Sequence, residues 1–163
     1  ENAYINRIIS FSKIKCLPDY LMDGYLEFTP VDSCSDAILK IIEYPSNNNR
    51  IFHLLNQNVI TLKKFLKLYC KHYTKIDIIS DEEFKKKIEH ILSLENADSL
   101  INGIISDFDE NMELVYGSKV KLKSDFTELY LKDIGFKWPK IDGDYIIKFF
   151  DYLVDLGYIK KDI

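Results

Sequence analysis

Glycine is scarce in this chain, with six in 163 residues, and none of them forms G-x-G-x-x-G, G-x-x-x-x-G-K-[ST] or G-x-S-x-G. The sequence therefore lacks a dinucleotide cradle, a triphosphate loop and a nucleophile elbow, each of which needs glycine for tight turns or close backbone approach. Cysteine is limited to Cys16, Cys34 and Cys70, an odd number with no C-x-x-C pair. That argues against a disulfide scaffold and for reduced thiols. No apolar run approaches the roughly 18 to 20 residues that cross a bilayer, and Glu1 to Arg7 lacks the charged-then-apolar order of a signal peptide. A soluble, cytoplasmic chain without a membrane partner is expected. An excess of positive charge is missing too: 22 Lys+Arg against 26 Asp+Glu leave a net charge of -4, which opposes a nucleic-acid partner and with it a DNA-binding helix pair over 124–156. Methionine does not occur before Met22, so the chain reads as a piece of a longer protein.

Other chemistries fail on spacing. His53, His72 and His90 show neither H-E-x-x-H spacing nor a nearby cysteine pair, so no metal is expected. Asp107-Phe108-Asp109-Glu110-Asn111 begins like a calcium loop, but Met112 replaces the glycine at position six and Ser118 the bidentate glutamate at position twelve. An exposed acidic turn is the better reading. None of the eleven tyrosines has lysine four residues later, which excludes a Tyr-x-x-x-Lys proton-transfer pair within the chain.

What is present is a globular composition, 47% hydrophobic and 29% charged, with strongly patterned elements. Ile5, Ile8 and Ile9 predict a helix over 4–14, and Tyr25 to Phe28 a short strand halted by Pro30. Asp32 stands as N-cap to a helix with Ala37, Ile38, Ile41 and Ile42 on one face, closed by Pro45 and the polar run 46–49. Arg50 to Leu55 reads as a buried strand. Thr61 caps a helix with Leu62, Phe65, Leu66, Tyr69, Cys70 and Tyr73 on its apolar side and Lys63, Lys64, Lys67 and Lys71 on the other. After a strand at 76–79, Ser80 and Glu83 form a capping box before Phe84, Ile88, Ile91 and Leu92.

The remainder is helical: Leu100 to Phe108; a Ser124-capped helix with Phe126, Leu129, Tyr130 and Ile134 that stops at Gly135; and an Asp142-capped helix with Tyr145, Ile146, Phe149 and Leu153 that stops at Gly157. Between the last two lies Gly135-Phe136-Lys137-Trp138-Pro139. The class expected is α/β, mostly helical: an α/β part over 1–95 and a helical subdomain over 96–163.

Three stretches carry a resemblance. Glu1-Asn2-Ala3-Tyr4-Ile5-Asn6-Arg7, then Leu26-Glu27-Phe28-Thr29-Pro30-Val31-Asp32-Ser33-Cys34-Ser35-Asp36-Ala37-Ile38, then Ile51-Phe52-His53-Leu54-Leu55-Asn56 resemble consecutive landmarks of the thioester reductase family. These are the terminal reductase domains of nonribosomal peptide synthetases, in the extended short-chain dehydrogenase/reductase group. Residues 124–127, 134–142 and 145–148 resemble the carboxyl end of such domains, so the resemblance covers nearly the whole chain but only the C-terminal portion of a Rossmann-like domain.

The resemblance implies NAD(P)H-dependent reduction of a carrier-bound peptidyl thioester to an aldehyde or alcohol. It places the glycine-rich loop and the Tyr/Lys pair upstream, so no catalytic residue and no bound cofactor are expected here, and the fragment alone is expected to be inactive. The implied partners are a peptidyl carrier protein with its phosphopantetheine arm and the upstream half of the reductase domain. Pro30, Val31 and Asp32 resemble the turn closing one wall of the cleft, with Asp32 either a substrate contact or a plain N-cap. Trp138 and Tyr145 are either core or the lining of an acyl pocket. Arg7 is either a phosphate contact or an exposed helical arginine, and Lys63, Lys67 and Lys71 are either a carrier-docking patch or a solvated face. The competing reading is a non-catalytic interaction module that keeps the fold fragment.

Overall fold

The computed structural model describes residues 3–44, 51–115 and 124–161. In it the chain forms two units: one contains Glu1–Gly24, Thr61–Gly117 and Gly143–Ile163, the other Tyr25–Ile60 and Ser118–Asp142. The expected boundary at 95/96 falls inside the first unit. The class is the expected one, mostly helical with a few short strands.

The first unit opens with α1 (Ala3–Ile14), which buries Ile8, Phe11 and Ile14. Lys15 then takes a left-handed backbone, φ 54°, turning the chain into β1 (Cys16–Pro18). This strand was not expected from the sequence. It is three residues long and ends in a proline, so no alternation marks it; it exists through parallel pairing with β4 (Asp77–Ile79), Cys16 opposite Asp77 and Pro18 opposite Ile79.

The helix α3 (Leu62–His72) starts at Thr61, whose hydroxyl accepts from the Lys64 amide at 3.3 Å as expected. Cys70, assigned to its apolar side, is exposed. In α4 (Asp81–Leu92) the Ser80–Glu83 capping box is complete, with the Glu83 amide donating to Ser80 Oγ at 3.3 Å and the Ser80 amide to Glu83 Oε2 at 3.1 Å. Phe84, Ile88 and Ile91 are buried behind it, and Leu92 is exposed.

The helix expected over 100–108 is broken into α5 (Ala97–Ile101), a turn, and a 3-10 turn at Ile105–Asp107. Gly103 lies in the break. A Cβ there would sit 2.0 Å from the Asn6 carbonyl oxygen and 2.8 Å from Ser10 Oγ, so the segment touches α1 through bare backbone, and the Gly103 amide donates to Ser10 Oγ at 3.1 Å. The last helix, here α7 (Gly143–Asp155), buries Ile146, Phe150 and Leu153.

Phe150 is the hub of the core of this unit. Its ring lies 4.7 Å from Phe65, 4.9 Å from Tyr69 and 5.2 Å from Tyr73, centroid to centroid, in tilted and edge-on contacts.

In the second unit β2 (Tyr25–Leu26) pairs with β3 (Ile60–Thr61). The helix α2 (Val31–Glu43) has its N-cap at Pro30, with extended backbone at φ -62° and ψ 136°, two residues before the expected cap Asp32. Asp32 lies in the first turn, and its Oδ1 accepts from the Ser33 amide at 2.8 Å. Of the predicted α2 face, Ala37 is fully buried and Ile41 half-buried, while Ile38 and Ile42 are exposed.

Residues 51–55 form no strand ladder; Arg50, Pro45 and the polar run 46–49 lie outside the described residues. The helix α6 (Asp125–Asp133) buries Thr127 and Leu131, and Phe126 and Leu129 of its expected stripe are exposed. The Ser124 hydroxyl does not bond the helix amides; its Oγ accepts from Gln57 Nε2.

Both α6 and α7 end as glycine spacing predicts. Gly135 (φ 79°) donates to the Lys132 carbonyl and Phe136 to the Leu131 carbonyl; Gly157 (φ 73°) and Tyr158 repeat the pair on Val154 and Leu153.

Candidate functional site

Three of the segments that carry the resemblance, 26–38, 51–56 and 134–142, are joined in the second unit at one buried polar residue. Asn56 is fully buried. Its Nδ2 donates to the Phe28 carbonyl at 2.9 Å and the Pro139 carbonyl at 3.2 Å, its Oδ1 accepts from the Asn58 amide at 3.0 Å, and its own amide donates to Thr29 Oγ1 at 3.0 Å. The end of the 51–56 segment, the Phe28-Thr29-Pro30 junction and the Trp138-Pro139 connection are therefore fixed to one another. Sequence reasoning names each stretch but does not reveal the link, because a lone asparagine after an apolar run carries no sign of its distant partners.

The Phe28-Thr29-Pro30 junction leads into α2, whose Ala37 packs with Leu131 and Phe136 in a small core, and Ile41, Leu54, Ile134 and Trp138 pack around it. Trp138 is half-buried, its ring edge-on to Phe136 with centroids 5.0 Å apart. Beside it, between α6 and the 136–140 connection, lies a cavity of about 270 Å3. Val31 is 81% exposed and Asp32 is exposed.

The remaining site residues belong to the first unit. Arg7 is committed to an ion pair: Nε donates to Asp107 Oδ2 at 2.5 Å and Nη2 to Asp107 Oδ1 at 2.6 Å, a two-pronged contact that suits guanidinium and carboxylate. This also disposes of the calcium-like loop. Asp107 serves Arg7, Asp109 Oδ1 accepts from the Asn111 and Glu113 amides, and Ser118 lies outside the described residues. Among the described residues no group of three or more metal-binding side chains converges.

Lys63, Lys67 and Lys71 stand exposed on one side of α3, and no ion pair among the described residues engages them. Tyr145 is half-buried on α7. Trp138 and Tyr145, expected together, thus fall in separate units. Near α1 and α5 a second cavity of about 340 Å3 is lined by polar groups including Asn6, Ser10, Lys13 and Asn102; Lys13 Nζ donates to the Ser99 carbonyl at 2.6 Å.

Tyr73 is the most perturbed ionisable group with a clear cause. Burial pushes its hydroxyl well above the ordinary tyrosine value, and the Asp151 carboxylate, which accepts from it at 2.9 Å, pushes the same way. Asp151 is held below the usual carboxylate value by Lys161 first and Tyr73 second. Both serve the aromatic core, away from either cavity lining.

A dinucleotide does not fit the glycines described. Gly135 and Gly157 terminate helices, Gly103 abuts Asn6, a Cβ on Gly24 would meet the Leu21 carbonyl oxygen at 3.1 Å, and Gly143 opens α7 alone; no two of these five stand at the spacing of a pyrophosphate cradle.

The fold is that of a portion of a peptide-synthetase reductase domain, of the extended short-chain dehydrogenase/reductase architecture. Among solved structures the chain is similar to a thiolation-reductase di-domain from an archaeal nonribosomal peptide synthetase, with a TM-score of 0.76 and 25% identity over 96% of this chain. It shares the fold of the terminal reductase domain of the myxalamid pathway (TM-score 0.76, 18% identity, 98% of this chain) and of the aureusimine cluster reductase domain (0.66, 17%, 96%). The chain spans 31%, 40% and 38% of those three chains, respectively. No family model and no curated protein matches the sequence. No helix among the described residues is long and apolar enough to cross a membrane.

Proposed function

We propose that this chain is the substrate- and carrier-facing portion of a thioester reductase domain that releases a carrier-bound peptidyl thioester as an aldehyde or alcohol. The observation that carries this reading is the likeness to the archaeal thiolation-reductase di-domain over 96% of the chain. In this reading NAD(P)H is held by the rest of the domain and supplies the hydride. The residues of this chain position the acyl group and receive the carrier.

Two features support the division of labour. The Asn56 hub holds Phe28 and Thr29, just ahead of the Pro30-Val31-Asp32 turn, to Pro139, the neighbour of Trp138 in the chain, a fixed anchorage such as a cleft wall requires. The exposed lysines of α3 offer an unneutralised positive row to an acidic carrier surface.

The test is NADPH oxidation with a carrier-loaded thioester, measured for this chain and for the intact reductase domain. The chain alone is expected to give none. In the intact domain, reversing the charge at Lys63, Lys67 and Lys71 is expected to slow turnover of the carrier-bound substrate about tenfold, the scale on which charge steering acts, and to spare a free thioester analogue. Turnover by the chain alone, or equal loss on both substrates, contradicts the assignment.

A further inference from the structure

The cavity beside Trp138 has a basic mouth that the reductase reading does not use. Its floor is apolar: Leu131 and Phe136 are buried and Trp138 is half-buried. Its mouth is basic. Lys132, Lys137 and Lys140 are exposed around it, and Glu128 is the single acidic residue in the lining. No ion pair among the described residues engages those lysines.

Apolar walls with cations at the rim select a molecule with an apolar body and an anionic head. A neutral head leaves the lysines without a partner, and a cationic head is repelled. At about 270 Å3 the cavity lies just under the usual range for ligand pockets, about 300 to 1,000 Å3, which limits the occupant to roughly ten non-hydrogen atoms. The Trp138 and Phe136 rings meet edge to face at 5.0 Å, an arrangement that a further ring can extend.

We propose that this cavity binds a small arylalkyl carboxylate, with its ring against Trp138 and its carboxylate paired with the lysines at the mouth. The site needs neither NAD(P)H nor a thioester, so it goes beyond the reductase reading and is testable apart from it.

Trp138 is the only tryptophan in the chain and lines the cavity, so its fluorescence reports occupancy. Three probes of one shape are titrated at fixed ionic strength: 3-phenylpropionate, 3-phenylpropanamide and 3-phenylpropylamine. A saturable change is expected with the carboxylate, at least fivefold weaker binding of the amide, and weaker binding still of the amine. K132Q/K137Q, with circular dichroism showing it folded, is expected to weaken the carboxylate at least fivefold and leave the amide unchanged; E128Q is expected to tighten the carboxylate. Absence of a saturable change, equal binding of the three probes, or indifference of the carboxylate to the lysine substitutions overturns the proposal.

Discussion

At the scale of single residues, Asn56 and Tyr73 show how differently a buried polar group can behave. Asn56 satisfies two carbonyls and one amide through its side chain. Asn56→Ala removes these three bonds, although the Pro139 carbonyl keeps Asn58 Nδ2 at 3.2 Å, and is expected to cost about 1 to 3 kcal/mol. Asn56→Asp keeps the shape but sets a carboxylate oxygen against the Phe28 and Pro139 carbonyls. Its cost at neutral pH should exceed that of the alanine, and it should shrink as pH falls towards 5, because burial raises the carboxyl pKa and the protonated form donates again. Urea midpoints at the two pH values check both statements.

Tyr73 acts at the other end of the scale. Its folded hydroxyl resists ionisation, whereas in the unfolded chain it ionises near pH 10. The unfolded state therefore binds fewer protons above that value, and stability falls as pH rises past about 10. Tyr73→Phe removes this group's share of the fall: denaturation midpoints between pH 9 and 11 should drop less steeply than in the wild type, at the expense of the Asp151 hydrogen bond at neutral pH.

At the scale of elements, several signals confined to one turn of chain are readable in the sequence, although the equally local Asp32 and Ser124 side-chain caps do not form. The Ser80–Glu83 box, the Thr61 cap and the two glycine stops need only neighbours within five residues, and each forms. Helix faces were less readable. Phe149 was predicted for the α7 stripe, but Phe150 became the hub, and Leu131 displaced Phe126 and Leu129 as the buried side of α6. Adjacent apolar strips look alike to a 3.6-residue period, and only the partner surface decides between them.

The α5 break was hidden for the same reason. Leu100, Ile101, Ile104, Ile105 and Phe108 continue a helical pattern straight through Gly103, and the contact that interrupts it comes from α1, about 95 residues earlier. Gly103→Ala is thus not a routine gain in helix propensity. A methyl group 2.0 Å from the Asn6 carbonyl oxygen forces α1 and this segment apart, and a loss of about 2 kcal/mol or more is expected in thermal or urea unfolding.

At the scale of the whole molecule, the class and the resemblance were legible, and the arrangement of the units was not. Nothing in the spacing of Lys132, Lys137 and Lys140 marks them in the sequence; α6 and the 136–140 connection bring them around one cavity with Trp138. Likewise the apolar run from Arg50 to Leu55 predicts a strand, and residues 51–55 form no ladder. Its lasting role is the polar anchor at its end, which depends on partners 28 and 83 residues away.

The interleaving of the two units carries a consequence for the order of events during synthesis. The second unit is closed by 118–142 and the first by 143–163. On a ribosome, α2 and the Asn56 side chain wait for Pro139, and the Phe65, Tyr69 and Tyr73 rings wait for Phe150, while most of the chain is already outside. The second unit can close once 118–142 has been made, whereas the first stays open until 143–163 follows. While the Phe65, Tyr69 and Tyr73 rings lack Phe150, the apolar face they form stays in solution, and a holdase chaperone has the most to bind in that interval.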